Sequence, residues 1–143
     1  MAPRSQRTRT STSRLPLFST LVLFLFLTVI PCFSLHHLNQ THPLLTSRLL
    51  LYFIFINLLT VVVFYHDKSQ AQNAGWRTSE RSLHFCELVG GWPAAFVSQR
   101  LFRHKILKVG YQSVFWLIVF VHELVWVDVM LDGALRIWLL KRR

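Results

Sequence analysis

Glu80, His84 and Glu87 stand at i, i+4 and i+7 and so share one stripe of a helix. Such a stripe can coordinate a cation or pass protons. It can equally be the polar shoulder of a helix start that faces a membrane interface. Glu80 fits the second use, because Thr78 or Ser79 can cap the helix and an anion is favourable in its first turn. Glu87 lies about two turns in and fits it poorly. Asp67, Lys68 and Arg77 precede the stripe, and His104 and Lys105 follow it. An ion site would use His84 and Glu87, with Asp67, Arg77 and His104 at its mouth.

Other chemistry is not indicated. No nucleophile–base pair, metal triad or phosphate-binding glycine loop stands out, so no catalytic residue is assigned and no cofactor is implied. His122-Glu123 begins the H-E-x-x-H pattern, but Trp126 occupies the second histidine position. His36, His37 and His42 lack a nearby carboxylate or thiol, and Cys32 and Cys86 lack a C-x-x-C neighbour. No metal ligand set is assigned, and the two cysteines read as buried free thiols.

The elements that must position these residues are membrane helices. The chain has 143 residues, 52% of them hydrophobic and only 15% charged, against about 25% charged in soluble domains. So short a chain cannot hide that much apolar surface in a soluble core. The net charge of +10 then points to anionic lipid headgroups. Nucleic acid is the other usual partner of a basic chain, but here the basic residues are scattered in short clusters.

The pattern predicts an all-α polytopic membrane protein with about four transmembrane helices, over 15–35, 49–65, 83–102 and 109–131. Residues 1–14 read as a disordered basic tail, and 15–143 as one helical membrane domain. His36 to Arg48 reads as a loop and His66 to Ser82 as a polar connection. Residues Ala134 to Leu140 read as a short interfacial helix. Asn57 is the lone amide of the second span, suited to a hydrogen bond with a neighbouring helix.

The segment 83–102 is ambiguous. Gly90, Gly91, Ala94, Ala95 and Ser98 repeat at i, i+4, i+8 and would form a close-packing face on a continuous helix kinked at Pro93. Gly90-Gly91-Trp92-Pro93 also suits a re-entrant turn. Counting basic residues gives eleven on one side and five on the other for either topology, so the positive-inside rule places the amino terminus in the cytoplasm but does not choose between them. The small-residue spacing favours four spans.

The ordered series Asp67-Lys68-x-x-Ala71, Arg77-x-x-Glu80, Leu83, Gly90-Gly91, Leu101-Phe102-Arg103-His104-Lys105 and Phe115-Trp116 resembles domain-of-unknown-function family 1294. The resemblance covers about 49–128. It implies a small integral membrane protein of a bacterial inner membrane, with Asp67, Lys68, Arg77, Glu80, His104 and Lys105 as the motif's polar cluster. Some members carry an amino-terminal cold-shock domain. The 14-residue tail is too short for one, so no nucleic-acid partner is carried over. After Lys105 the chain departs from the family's wording, and Tyr111 stands where an aromatic is usual.

These readings point to a non-enzymatic membrane module with a structural, regulatory or partner-binding role, its partners being the bilayer, a second copy or another membrane protein. A small oligomeric transporter using His84 and Glu87 is the alternative. An enzyme holding lipid phosphate on His104 and Lys105 is the third.

Overall fold

Hydrocarbon offers backbone groups no hydrogen-bond partner, so apolar runs of this length satisfy their own peptide groups as helices. The computed structural model describes residues 17–72, 78–102 and 108–141. Its helices are α1 (Leu17–Thr41), α2 (Pro43–Gln72), α3 (Glu80–Cys86), α4 (Trp92–Leu101), α5 (Val109–Met130) and α6 (Ala134–Lys141), with a π-type turn over Glu87–Gly91 between α3 and α4. The basic tail and the connections carrying Arg77, His104 and Lys105 lie outside the described residues.

Among the described residues three helices are long and apolar enough to cross a membrane: α1, α2 and α5. Their burial pattern is that of a chain whose solvent is lipid. Phe26, Leu51, Leu58 and Phe120 face outward, while Ser34, Thr46, Thr60, Asp67, Glu87, Ser98 and Gln99 are buried. The core gathers Phe64, Leu83, Trp92, Phe96, Tyr111, Phe115 and Val119, with Leu23, Phe24 and Leu27 of α1 packed against it.

Two boundaries differ from the sequence reading. The expected loop over 36–48 shrinks to His42, because α1 continues to Thr41 and α2 begins at Pro43. The polar stretch after Tyr65 stays helical to Gln72, as its Lys, Gln and Ala residues permit. Asp67 therefore sits inside α2 rather than beyond its end. With 30 residues, α2 reaches about 45 Å and outruns a hydrocarbon layer of about 30 Å.

The larger correction concerns 83–102, which is not the continuous kinked helix expected. Gly90 has φ 108° and breaks the helix. At the turn, Tyr52 Oη donates to the Val89 carbonyl and Asn57 Nδ2 to the Gly90 carbonyl. At the ends, Val62, Val63 and His66 line a cleft with Arg81, Ser82 and Phe85, while the Tyr65 ring lies 5.9 Å from that of Phe102. Both limbs thus reach the same end of α2, and their turn lies about 15 Å further along it. The segment is a helical hairpin that enters and leaves by one end.

The other helices complete the frame. Lys108 pairs with Glu80 at the hairpin's open end, and the Trp126 ring packs 5.5 Å from Phe53 at the opposite end. Helix α5 therefore runs away from that open end. Helix α1 runs beside it in the same direction, with Phe24 stacked on Phe96 and Ser34 Oγ donating to the Trp126 carbonyl at 2.7 Å. Residues Asp132 and Gly133 adopt positive φ, the Gly133 N–H returns to the Asp128 carbonyl, and α6 begins. Helix α6 exposes Ile137, Trp138 and Leu140, a composition suited to the interface.

Candidate functional site: a re-entrant hairpin around a buried acid

Helix α3 starts on Ser79, whose hydroxyl accepts the Ser82 N–H at 3.2 Å. The chain turns back at Gly90 and Gly91, and both positions exclude a side chain. A Cβ on Gly90 would stand 2.8 Å from the Phe53 ring, at a φ that L-residues rarely adopt. On Gly91 it would stand 2.0 Å from Thr60 Oγ1. Helix α4 restarts with Pro93 in its first turn, where a missing N–H costs nothing.

A broken helix leaves carbonyls and N–H groups without intrahelical partners. Helix α2 supplies them. Tyr52 Oη serves the Val89 carbonyl at 2.6 Å. Asn57 serves both limbs, donating to the Gly90 carbonyl at 3.3 Å and accepting the Ala94 N–H at 2.9 Å. The small residues do allow close approach, with Ala95 fully buried, but they bring a hairpin limb rather than a through-helix against α2.

Glu87 lies just before the turn and is fully buried. His84 Nδ1 is 2.6 Å from Glu87 Oε2. Tyr111 Oη donates to Oε1 at 2.5 Å, and Gln99 Nε2 donates to the same oxygen at 3.3 Å. Gln112 Nε2 donates in turn to Gln99 Oε1 at 2.6 Å. The His84 ring stacks on Tyr111 with centroids 4.2 Å apart. Both limbs of the hairpin and the start of α5 thus converge on one carboxyl group. A buried carboxylate is costly unless its oxygens receive hydrogen bonds, and here three side chains surround it. The short His84–Glu87 contact requires a proton between its two atoms, whichever residue carries it. The His84 side chain is 18% exposed, so this proton lies at the border between the interior and the hairpin's surface.

The motif's polar cluster is only partly gathered here. Lys108 Nζ bridges both Glu80 oxygens at 2.6 and 2.7 Å, joining the start of α3 to that of α5. Lys68 Nζ lies 5.4 Å from the Phe102 ring centroid, a cation–π contact that clamps the end of α4 to α2. Asp67 is buried at the same end, within electrostatic reach of Tyr111. Arg77, His104 and Lys105 lie outside the described residues. Among the described residues no three His, Cys, Asp or Glu side chains are grouped to hold a metal.

Sequence reasoning missed Tyr111 as a partner of Glu87, Gln112 as a partner of Gln99, and Tyr52 as a partner of the turn. Gln99 was visible as an amide in an apolar run, a group that must find a partner when buried. Asn57 carried the same signal and has the expected role, a hydrogen bond to the neighbouring segment.

Comparison with known proteins agrees with the motif series. Residues 57–111 match the family model described as Protein of unknown function (DUF1294), the family that the series resembles. The match opens on Asn57, which holds the turn, and closes on Tyr111, which holds Glu87. It takes in the second half of α2, the whole hairpin and the first residues of α5. No curated protein and no solved structure matches the chain.

Proposed function

We propose that this integral membrane chain is a non-enzymatic module that binds a partner at the open end of its hairpin, on the cytoplasmic face of a bacterial inner membrane. One observation carries the reading: the hairpin returns to the end it entered by, which gathers Asp67, Lys68, Glu80, Phe102 and Lys108 there. With this topology, eleven of the sixteen Lys and Arg residues belong to segments joined at that end. The positive-inside rule makes it cytoplasmic and puts the amino terminus on the same side. The excess charge suits anionic headgroups, an acidic patch on another membrane protein, or a second copy. Glu87 acts in this reading as a polar lock that fixes the hairpin's register against α5, a role in which buried polar groups supply specificity.

Two measurements test the proposal. Single cysteines at Ser79, Lys108 and Asp132, with Cys32 and Cys86 replaced, report sidedness by labelling in intact and permeabilised cells. Ser79 and Lys108 should label only after permeabilisation, and Asp132 from outside. Labels at Ser79 and Lys108 on opposite sides would remove the shared face. A photo-crosslinker at Lys68 should capture a protein partner or a second copy, whereas one at lipid-facing Leu51 should not. Equal capture at both would remove the binding role.

A second reading is favoured by the 2.6 Å His84–Glu87 contact: an oligomer that handles protons or cations through this pair. It predicts flux in liposomes that Glu87→Gln abolishes. Flux that survives that substitution contradicts it.

A further inference from the structure

We infer that the cleft between α2 and α3 is a binding site for one anionic phospholipid. The cleft has a volume of about 720 Å³ and is lined by Val62, Val63 and Phe85 below, and by His66, Arg81 and Ser82 above. That order follows the membrane boundary, because Val62 and Val63 lie in the last turn of the apolar run of α2, which closes on Phe64 and Tyr65, and His66 begins its polar extension. Phe85 is 64% exposed and Val62 61%, so the apolar walls open sideways to lipid. A molecule that fits both levels has an acyl chain and a polar head.

The charge of that head follows from how the neighbouring cations are engaged. At this end Lys108 is paired with Glu80, Lys68 lies over Phe102, and Arg100 lies over the Phe96 ring and donates to its carbonyl. Glu80 is balanced by Lys108 and adds no uncompensated negative charge at the mouth. Arg81 is exposed and forms no ion pair among the described residues. Its guanidinium can take a phosphate by two parallel hydrogen bonds. His66 and the Ser82 hydroxyl add polar groups at the same level. The site is separate from the Glu87 network, and it does not depend on which compartment the hairpin's open end faces.

The test is native mass spectrometry of the full chain, released from detergent after incubation with an equimolar mixture of phosphatidylglycerol and phosphatidylcholine. The intact protein should retain one phosphatidylglycerol in preference to phosphatidylcholine. Arg81→Gln should reduce that retention about fivefold, the effect of one basic residue at an anionic surface. Arg48→Gln, at the opposite end of α2, should leave it unchanged. Val62→Trp, which fills the apolar level, should reduce retention of both lipids. Equal retention of the two lipids by the intact protein overturns the inference, as does an Arg81→Gln protein that retains phosphatidylglycerol normally. A dimer that Val62→Trp dissociates, with lipid retention unaltered, overturns it in favour of a second copy. Sidedness labelling at Ser79 and Lys108 is unaffected by any of these outcomes, so failure here is distinct from failure of the proposed function.

Discussion

Glu87 and Glu123 are both acids within the apolar body of the chain, and they are treated in opposite ways. Glu87 is surrounded by His84, Tyr111 and Gln99. Glu123, on α5, has both carboxyl oxygens shielded with no hydrogen-bond partner among the described residues. Its neighbour His122 turns back on its own helix, to the Ile118 carbonyl at 2.9 Å. The difference shows which part of the molecule is built around polar contacts. The hairpin, α2 and the start of α5 are joined by side-chain hydrogen bonds at the turn, at mid-depth and at the open end. Among the described residues the far half of α5 meets α1 through apolar packing and a bond from Ser34 to the Trp126 carbonyl, with His37 of α1 3.8 Å from Asp132 just past the end of α5.

The largest effect should come from removing the acid that has partners. Glu87→Leu leaves the Tyr111 hydroxyl, the Gln99 amide and the His84 ring facing a buried methyl group, and should destabilise the chain by about 3–5 kcal/mol. Thermal unfolding in detergent, followed by circular dichroism, measures it. Gly91→Leu should act nearly as strongly, since even a Cβ there meets Thr60 at 2.0 Å. Overpacking of this kind costs about 1–3 kcal/mol or more, and limited proteolysis should show the hairpin displaced from α2. Asn57→Leu removes one acceptor and one donor from the turn and should cost about 1–3 kcal/mol. The same unfolding assay reads it, and an effect near zero would mean that the turn does not need α2.

The smallest effects complete the contrast. Glu80→Gln breaks a partly exposed ion pair with Lys108 and should cost about 0–1 kcal/mol, diminishing as salt is raised. Glu123→Leu removes a carboxyl without donors and should be neutral or stabilising. If Glu123→Leu proves as damaging as Glu87→Leu, the far half of α5 also contains a functional polar site and the comparison fails.

Much of this was legible in the sequence, and the reasons differ by element. The three long helices were readable because lipid demands continuous apolar length. Asn57 was readable because a lone amide in such a run must find a partner. The hairpin was not, because Gly90, Gly91, Ala94 and Ala95 carry a spacing that serves a through-helix and a folded limb equally well. What separates the two is the set of groups that receive the broken helix ends, Tyr52 and Asn57 on α2, and no periodicity within 83–102 reports on them. Tyr52 reads naturally as an interfacial aromatic, which hides its bond to Val89. Basic-residue counts gave eleven and five for either topology, so charge could not arbitrate. Within the site, the His84–Glu87 pair followed from helical spacing, whereas Tyr111 and Gln99 reach Glu87 only because the chain turns back.

The central claim is that 83–102 folds back rather than crosses, and a distance measurement tests it most directly. Spin labels at Tyr65 and Leu101, both exposed, can be placed in a chain without Cys32 and Cys86 and read by pulsed electron paramagnetic resonance in bilayers. The hairpin places both residues at one end of α2, so the separation should fall well below a hydrocarbon thickness of about 30 Å. A separation equal to that thickness or greater would put Leu101 across the membrane from Tyr65 and contradict the hairpin.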